Sequence, residues 1–273
     1  MSFVALTIAG SDSGGGAGIQ ADLKTFEAFD VFGTSAITAV TAQNSLGVDG
    51  IWPMTAEAVA QQIRSVLSDF KVGAIKTGML FNAEIIRAVV TALKEFPSRP
   101  LVVDPVMVAT SGDLLLETEA ISLLCSELLP LASVVTPNLD EAVQLCGMPI
   151  ASKAEMESAA VKITTSFGLS GAVLIKGGHL QDQNEEGKVW DLLYSGGKFH
   201  WYEGKRIETS SSHGTGCTFS AAIAASLSRG KSLEASVAES KVFLTNALEN
   251  GWKGLARGKG SLKHNYKSAK LAE

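Results

Sequence analysis

An α/β fold with a mainly parallel sheet, covered by helices on both faces and bordered by a small hairpin, is predicted by three observations. Short apolar runs alternate with stretches of helical periodicity along most of the 273 residues. The change of period, from continuous apolar runs to spacings of three and four, is the mark of strand-then-helix units. Glycine or polar residues follow the runs, as at the ligand-facing edge of a parallel sheet.

Phe3 to Ala9 is an apolar run that ends in Gly10-Ser11-Asp12-Ser13-Gly14-Gly15-Gly16-Ala17-Gly18, after which Ile19, Leu23, Phe26 and Phe29 recur at helical spacing. This predicts strand, glycine loop, helix. The same unit repeats as Ser35–Val40 with Ala56–Leu67, Gly73–Thr77 with Ala83–Phe96, Leu101–Asp104 with Glu119–Leu129, and Ser133–Thr136 with Leu139–Cys146. Ala154–Phe167 reads as a further helix and Ala172–Ile175 as a further buried strand. The pattern then changes to Lys188–Tyr194, a Ser195-Gly196-Gly197 turn and Lys198–Trp201, an antiparallel hairpin at the sheet edge. From Gly214 an Ala/Ser-rich stretch to Arg229 and then Leu233–Leu248 read as two helices packed through small residues. No repeat or long linker divides the chain, so residues 1–273 are expected to form one domain.

Composition excludes several classes of function. Hydrophobic residues are 46% and charged residues 19%, enough apolar side chain for a sheet with two covered faces. A net charge of -5 leaves no basic footprint for nucleic acid. Cys125, Cys146 and Cys217 are odd in number and far apart, which argues against disulfides and structural zinc and for a reducing cytoplasm. Met1 to Gly10 lacks the layout of a signal peptide, and no apolar run approaches bilayer length, so no membrane partner is expected.

The strand ends carry the candidate chemistry. Gly214-Thr215-Gly216-Cys217 opens a long helix, where unpaired N–H groups and the positive dipole end can seat a phosphate; tight packing is the plainer use of two glycines. The chain has neither G-x-x-x-x-G-K-[ST] nor G-x-G-x-x-G, which disfavours a P-loop and a dinucleotide site. Cys217, at the first turn, stands where a thiolate is stabilised and a base can act, unless it is a packing residue. Asp104 and Glu141 can hold Mg²⁺; the alternatives are a cap for Asp104 and a solvated helix face for Glu141. Lys176 and Lys241 can neutralise phosphate charge. His179 and His213 flank candidate loops, but H-E-x-x-H and G-x-S-x-G are absent, so metalloprotease and hydrolase readings lack support.

Thr7-Ile8-Ala9-Gly10-Ser11-Asp12 and Gly15 to Thr25 resemble the opening of the hydroxymethylpyrimidine and phosphomethylpyrimidine kinases of the ribokinase superfamily. The likeness continues at Thr41 to Asn44, Lys76 to Leu80, Val103 to Met107, Thr136 to Ala142, Lys176 to His179 and Thr215 to Thr218. The resemblance implies a ribokinase-like three-layer α/β/α sandwich that takes ATP, Mg²⁺ and a hydroxymethyl aminopyrimidine. It implies an anion hole at Gly214, Thr215, Gly216 and Cys217, with Cys217 where most of the superfamily has an Asp base. Asp104, Asn138 and Glu141 are then expected around Mg²⁺ and phosphates, Lys176, Lys241 and Thr110 near ATP, and Asp22, Gln43, Met79 and Val106 around the pyrimidine. A side-chain amide such as Gln43 can both accept from an exocyclic amine and donate to a ring nitrogen.

The sequence departs from the family's usual pattern at Gly14, where Ser or Thr is more usual, and at Ser211-Ser212 before His213. Trp252 to Glu273 resembles the family only around Gly258-Lys259-Gly260 and receives no assignment. The rival reading within the superfamily is a pyridoxal or pyridoxine kinase; Gln43 followed by Asn44-Ser45-Leu46-Gly47-Val48 favours the pyrimidine. A rival of another class is a catalytically silent small-molecule binding protein. A homodimer through the exposed hairpin edge is also expected.

Overall fold

The computed structural model describes residues 2–107, 118–178, 180 and 187–267. Its strands are β1 (Phe3–Asp12), β2 (Val31–Gln43), β3 (Val48–Pro53), β4 (Ala74–Thr77), β5 (Leu101–Val103), β6 (Val134–Val135), β7 (Ala172–Lys176), β8 (Lys188–Ser195) and β9 (Lys198–Lys205). The helices are α1 (Gly18–Ala28), α2 (Ala56–Asp69), α3 (Ala83–Lys94), α4 (Thr118–Leu123), α5 (Leu139–Cys146), α6 (Lys153–Ser166), α7 (Thr215–Ser228) and α8 (Leu233–Glu249). The strands form one sheet in the order β3-β2-β1-β4-β5-β6-β7-β8-β9. Pairings from β2 to β7 are parallel, while β2/β3, β7/β8 and β8/β9 are antiparallel.

Alternation along each strand divides the core into two layers. Leu6, Ile8, Ile75, Val103, Val135, Val173 and Ile175 point into a layer shared with α2, α3, α4, α5 and α6. Their neighbours Ala5, Ala74, Val102, Val134, Ala172 and Leu174 point into a layer shared with α1, α7 and α8. This is the expected α/β/α sandwich. α7 crosses β1, β4 and β5 and packs on α1 and α8. Ala221, Ala222, Ala224 and Ala225 are fully buried, and their small side chains permit so close an approach. Cutting Phe219 in this layer to Ala is worth about 3–5 kcal/mol.

The hairpin forms where its sequence predicts, with Ser195 paired to Lys198 across Gly196 and Gly197, both at positive φ. Two such residues match the twist of a two-residue hairpin loop. β3 was not foreseen. Gly50 and Pro53 disguise it as a loop, and its sheet-edge place lets Pro53 lack an N–H without breaking a ladder. The helix expected over Glu119–Leu129 also changes: after α4 the chain widens into a π-helical turn (Leu124–Leu128) and tightens into a 3₁₀ turn (Leu129–Leu131) at Pro130. Among the described residues no helix is long and apolar enough to cross a membrane.

Candidate active site

The parallel order reverses direction at β1, with β2 on one side and β4 on the other, and ligands of open α/β sheets bind beyond the strand ends at such a point. α7 points its first turn at this place. Thr55, Asn82, Asn138, Ser152 and Ser232 cap α2, α3, α5, α6 and α8 with side-chain oxygens, whereas α1 at Ala17 and α7 at Gly214 begin without a side-chain cap. Gly214 has φ 84°, and a Cβ there would overlap the Gly16 carbonyl oxygen, so glycine is needed for the helix to start against the glycine loop. Among the described residues the Gly216 and Cys217 N–H groups meet no acceptor. Open N–H groups at a positive dipole end form an anion seat.

The seat faces Lys176 and Asp104: a Cβ on Gly216 would stand 3.4 Å from Lys176 Nζ and 3.8 Å from Asp104 Oδ2. Lys176 donates to Asp104 Oδ1 at 2.8 Å and lies 4.0 Å from Glu141 Oε2. Thr136 Oγ1 donates to the same Asp104 oxygen at 3.2 Å, and Ser220 Oγ donates to Asp104 Oδ2 at 3.1 Å. Burial pushes this carboxyl up, but Lys176, Lys76 and the hydrogen bonds outweigh it and hold it below the usual carboxylate range. Burial pushes Glu141 up to about 7, with Lys176 opposing and Asp104 adding to the rise.

A second ion pair lies beneath the first turn of α7, where fully buried Lys76 donates to Asp22 Oδ2 at 2.8 Å and Thr7 Oγ1 donates to the same oxygen at 2.6 Å. Asp22 Oδ1 is buried without a partner. Burial raises the Asp22 carboxyl by more than Lys76 and Thr7 lower it. For Lys76, burial opposes the charge, but the Asp22 and Asp104 carboxylates beside it outweigh that and hold it above the ordinary lysine range.

Cys217 is where the sequence placed it, at the first turn of α7, but burial pushes its thiol up to about 11, against the pull of Lys76 and with Asp22 and Asp104 adding to the rise. The expectation of a stabilised thiolate is therefore corrected for this state of the protein: desolvation outweighs the helix terminus.

The other expected residues are placed as follows. Met79 packs on Ala39 with Val106 and Ile51 alongside, and Gln43 ends β2 with its amide oxygen accepting from Thr41 Oγ1 at 3.1 Å. Asp22 is closed off from solvent by its pair with Lys76. The Asn138 side chain caps α5, accepting from the Glu141 N–H at 2.8 Å, while Glu141 Oε2 accepts from the Asn138 N–H at 2.7 Å. Both are thus engaged in a capping box, and Glu141 Oε1 has no hydrogen bond among the described residues. Lys241 is taken up by Asp191 Oδ2 at 2.6 Å, and Asp191 Oδ1 accepts from the Gly177 N–H at 2.9 Å. Lys241 therefore holds the turn after β7 through Asp191. Thr110 and His179 lie outside the described residues.

Two groups at the site had no role assigned from sequence. Asp12 accepts from the N–H groups of Gly14, Gly16 and Ala17 at 2.8–3.0 Å and meets His213 Nε2 at 2.9 Å, tying the glycine loop to the segment before α7. Lys76 is the other; a lysine inside a buried apolar strand was its signal, since such residues are almost always paired.

The sequence pattern described as phosphomethylpyrimidine kinase matches residues 12–264. A hydroxymethylpyrimidine/phosphomethylpyrimidine kinase of Bacillus subtilis is 46% identical over 96% of this chain and 94% of its own length. An ADP complex of Bacillus subtilis pyridoxal kinase is 38% identical and superposes with a TM-score of 0.88, covering 98% of this chain and all of the other. A phosphomethylpyrimidine kinase from Clostridium difficile is 40% identical with a TM-score of 0.78, covering 90% of this chain and 99% of the other. By sequence and by fold, this chain belongs to the phosphomethylpyrimidine kinase family.

Proposed function

We propose that the chain transfers the γ-phosphoryl group of ATP to the hydroxymethyl oxygen of 4-amino-5-hydroxymethyl-2-methylpyrimidine, and then a second phosphoryl group to the monophosphate, in thiamine biosynthesis. The observation that carries this reading is the uncapped start of α7, open at Gly216 and Cys217, facing Lys176 and Asp104 in a chain of this family. In the first step the alcohol oxygen bonds to phosphorus, the bond to the bridging oxygen of ADP breaks, and the alcohol proton passes to Cys217 in its thiolate form. Gly214, Thr215, Gly216 and Lys176 gather charge around the transferring group, and alignment with such charge supplies most of the rate in phosphoryl transfer. Gln43, Met79 and Val106 serve the pyrimidine, with Asp22 behind them.

The donor set suits Mg²⁺ that arrives on nucleotide phosphates. Asp104 is ionised and Glu141 keeps a free oxygen, yet among the described residues no cluster of three His, Cys, Asp or Glu side chains could hold a metal by itself. Magnesium takes one or two carboxylates and completes its shell with phosphate oxygens and water. Asp104 and Glu141 would hold it, and it would neutralise phosphate charge. Lys241, through Asp191, and Asn138, through α5, shape the ATP side, and Thr110 is assigned to ATP by the family resemblance alone.

Pyridoxal phosphorylation is a second reading, favoured by the TM-score of 0.88 to the solved pyridoxal kinase. Purified protein with Mg-ATP and, separately, the pyrimidine, its monophosphate and pyridoxal separates the two by ADP release and product mass. Successive mono- and diphosphorylated pyrimidine is expected; turnover of pyridoxal alone overturns the reading. We further propose a single domain over residues 1–273, a cytoplasmic location and a homodimer, the last tested by sedimentation at several concentrations.

A further inference from the structure

After α8 the chain doubles back across the edge of the site. The Gly258 N–H donates to Ser45 Oγ at 3.1 Å and the Lys259 N–H to Ser45 O at 3.1 Å. Gly260 donates to Ser210 O at 2.8 Å and accepts from the His213 N–H at 3.0 Å. Ser261 O accepts from the Trp252 N–H at 2.9 Å, and the Lys263 N–H donates to Ala247 O at 3.1 Å. Leu262, 1% exposed, drives into the core layer of α7 and α8. His264 Nε2 then meets Thr218 Oγ1 at 2.9 Å, with both residues buried.

Three of the places touched bear on the transfer. Ser45 is two residues beyond Gln43, Ser210 to His213 lead into Gly214, and Thr218 follows Cys217 on the first turn of α7. A Cβ on Gly258 would overlap Ser45 O, so the segment is seated on that turn without slack. We propose that residues 258–264 are a positioning strap, in which His264 sets the first turn of α7 against the loop that follows Gln43. The proposal rests on the kinase reading for the role of that turn. The strap touches neither nucleotide nor pyrimidine; it acts by holding donors in place, and small displacements of such donors cost rate more than binding. Burial pushes the His264 imidazole down to about 4, so the ring is neutral and offers one donor and one acceptor. Its loss leaves the Thr218 hydroxyl buried without that partner.

The test uses the full chain with His264→Ala, His264→Gln, Thr218→Val and the Ala/Val double variant. His264→Ala is expected to lower kcat about tenfold with KM for ATP and pyrimidine within about twofold. His264→Gln, which keeps a hydrogen-bonding group, restores most of the loss, and the double variant is no worse than the poorer single one. Alkylation by iodoacetamide, mapped by mass spectrometry without substrates, gives a readout independent of activity. Faster reaction at Cys217 with Cys125 and Cys146 unchanged supports the strap even if the substrate assignment fails. Equal acceleration at all three cysteines, or a raised KM at constant kcat, overturns it. Should His264→Ala not fold, Ser45→Ala removes one bond at the other end. A smaller fall in kcat with the same Cys217 selectivity is then expected, and unchanged kcat and alkylation overturn the proposal.

Discussion

Lys76 and Asp22 join β4 to α1, Lys176 and Asp104 join β7 to β5, and both pairs close at 2.8 Å at the same end of the sheet. The first pair is 0% exposed on both sides, whereas Lys176 keeps 14% of its side chain open beside Gly216. The Asp104 carboxylate is bonded on both oxygens and pulled below its ordinary range, while Asp22 has one oxygen unpartnered and is pushed above it. Equal distances therefore do not make equal pairs. Accessibility and the number of other donors distinguish a group that can meet a phosphate from one that fixes the floor beneath it.

The largest expected effect is on the open pair. Lys176→Ala should lower kcat by about 10³-fold with a small change in Tm, read by steady-state kinetics and thermal melting. The closed pair should answer in the opposite way. Lys76→Met leaves Asp22 buried and uncompensated, costing about 3–5 kcal/mol in urea denaturation, and adding Asp22→Asn should recover most of it. If folded Lys76→Met lost as much kcat as Lys176→Ala, the distinction between the pairs would collapse.

Between the pairs sits Cys217. Cys217→Ser should lower the first phosphorylation by about 10²-fold and the second less, because the second acceptor is a phosphate monoester that already bears charge. Its pH dependence has a definite sign. The active form is the thiolate and the thiol is pushed up to about 11, so kcat/KM for the first step should rise with pH from neutrality, up to tenfold per unit, and the Ser variant should lose that slope. A flat profile in the parent protein would remove Cys217 as the base.

Much of this site was legible because strands of a parallel sheet deliver their following residues to one edge. Asp104, Lys176 and Gly214 to Cys217 could be named from that rule and the family resemblance. Lys76 was passed over because its partner lies 54 residues away, and Asp12 with His213 because 201 residues separate them. Asn138 and Glu141 were read as ligand groups, and their spacing of three also satisfies a capping box, a local structural demand that competes for the same atoms. β3 escaped because its place at the sheet edge, not its own residues, makes it a strand.

Local order along the chain determined the elements and the chemical inventory at their ends, since apolar periodicity and glycine placement act over a few residues. Tertiary structure alone decided that β1 lies between β2 and β4, that one lysine is sealed while the other opens on the anion seat, and that the thiol of Cys217 is raised. Those outcomes depend on burial and on charges brought together from distant parts of the chain, and desolvation has no value until the neighbours are in place.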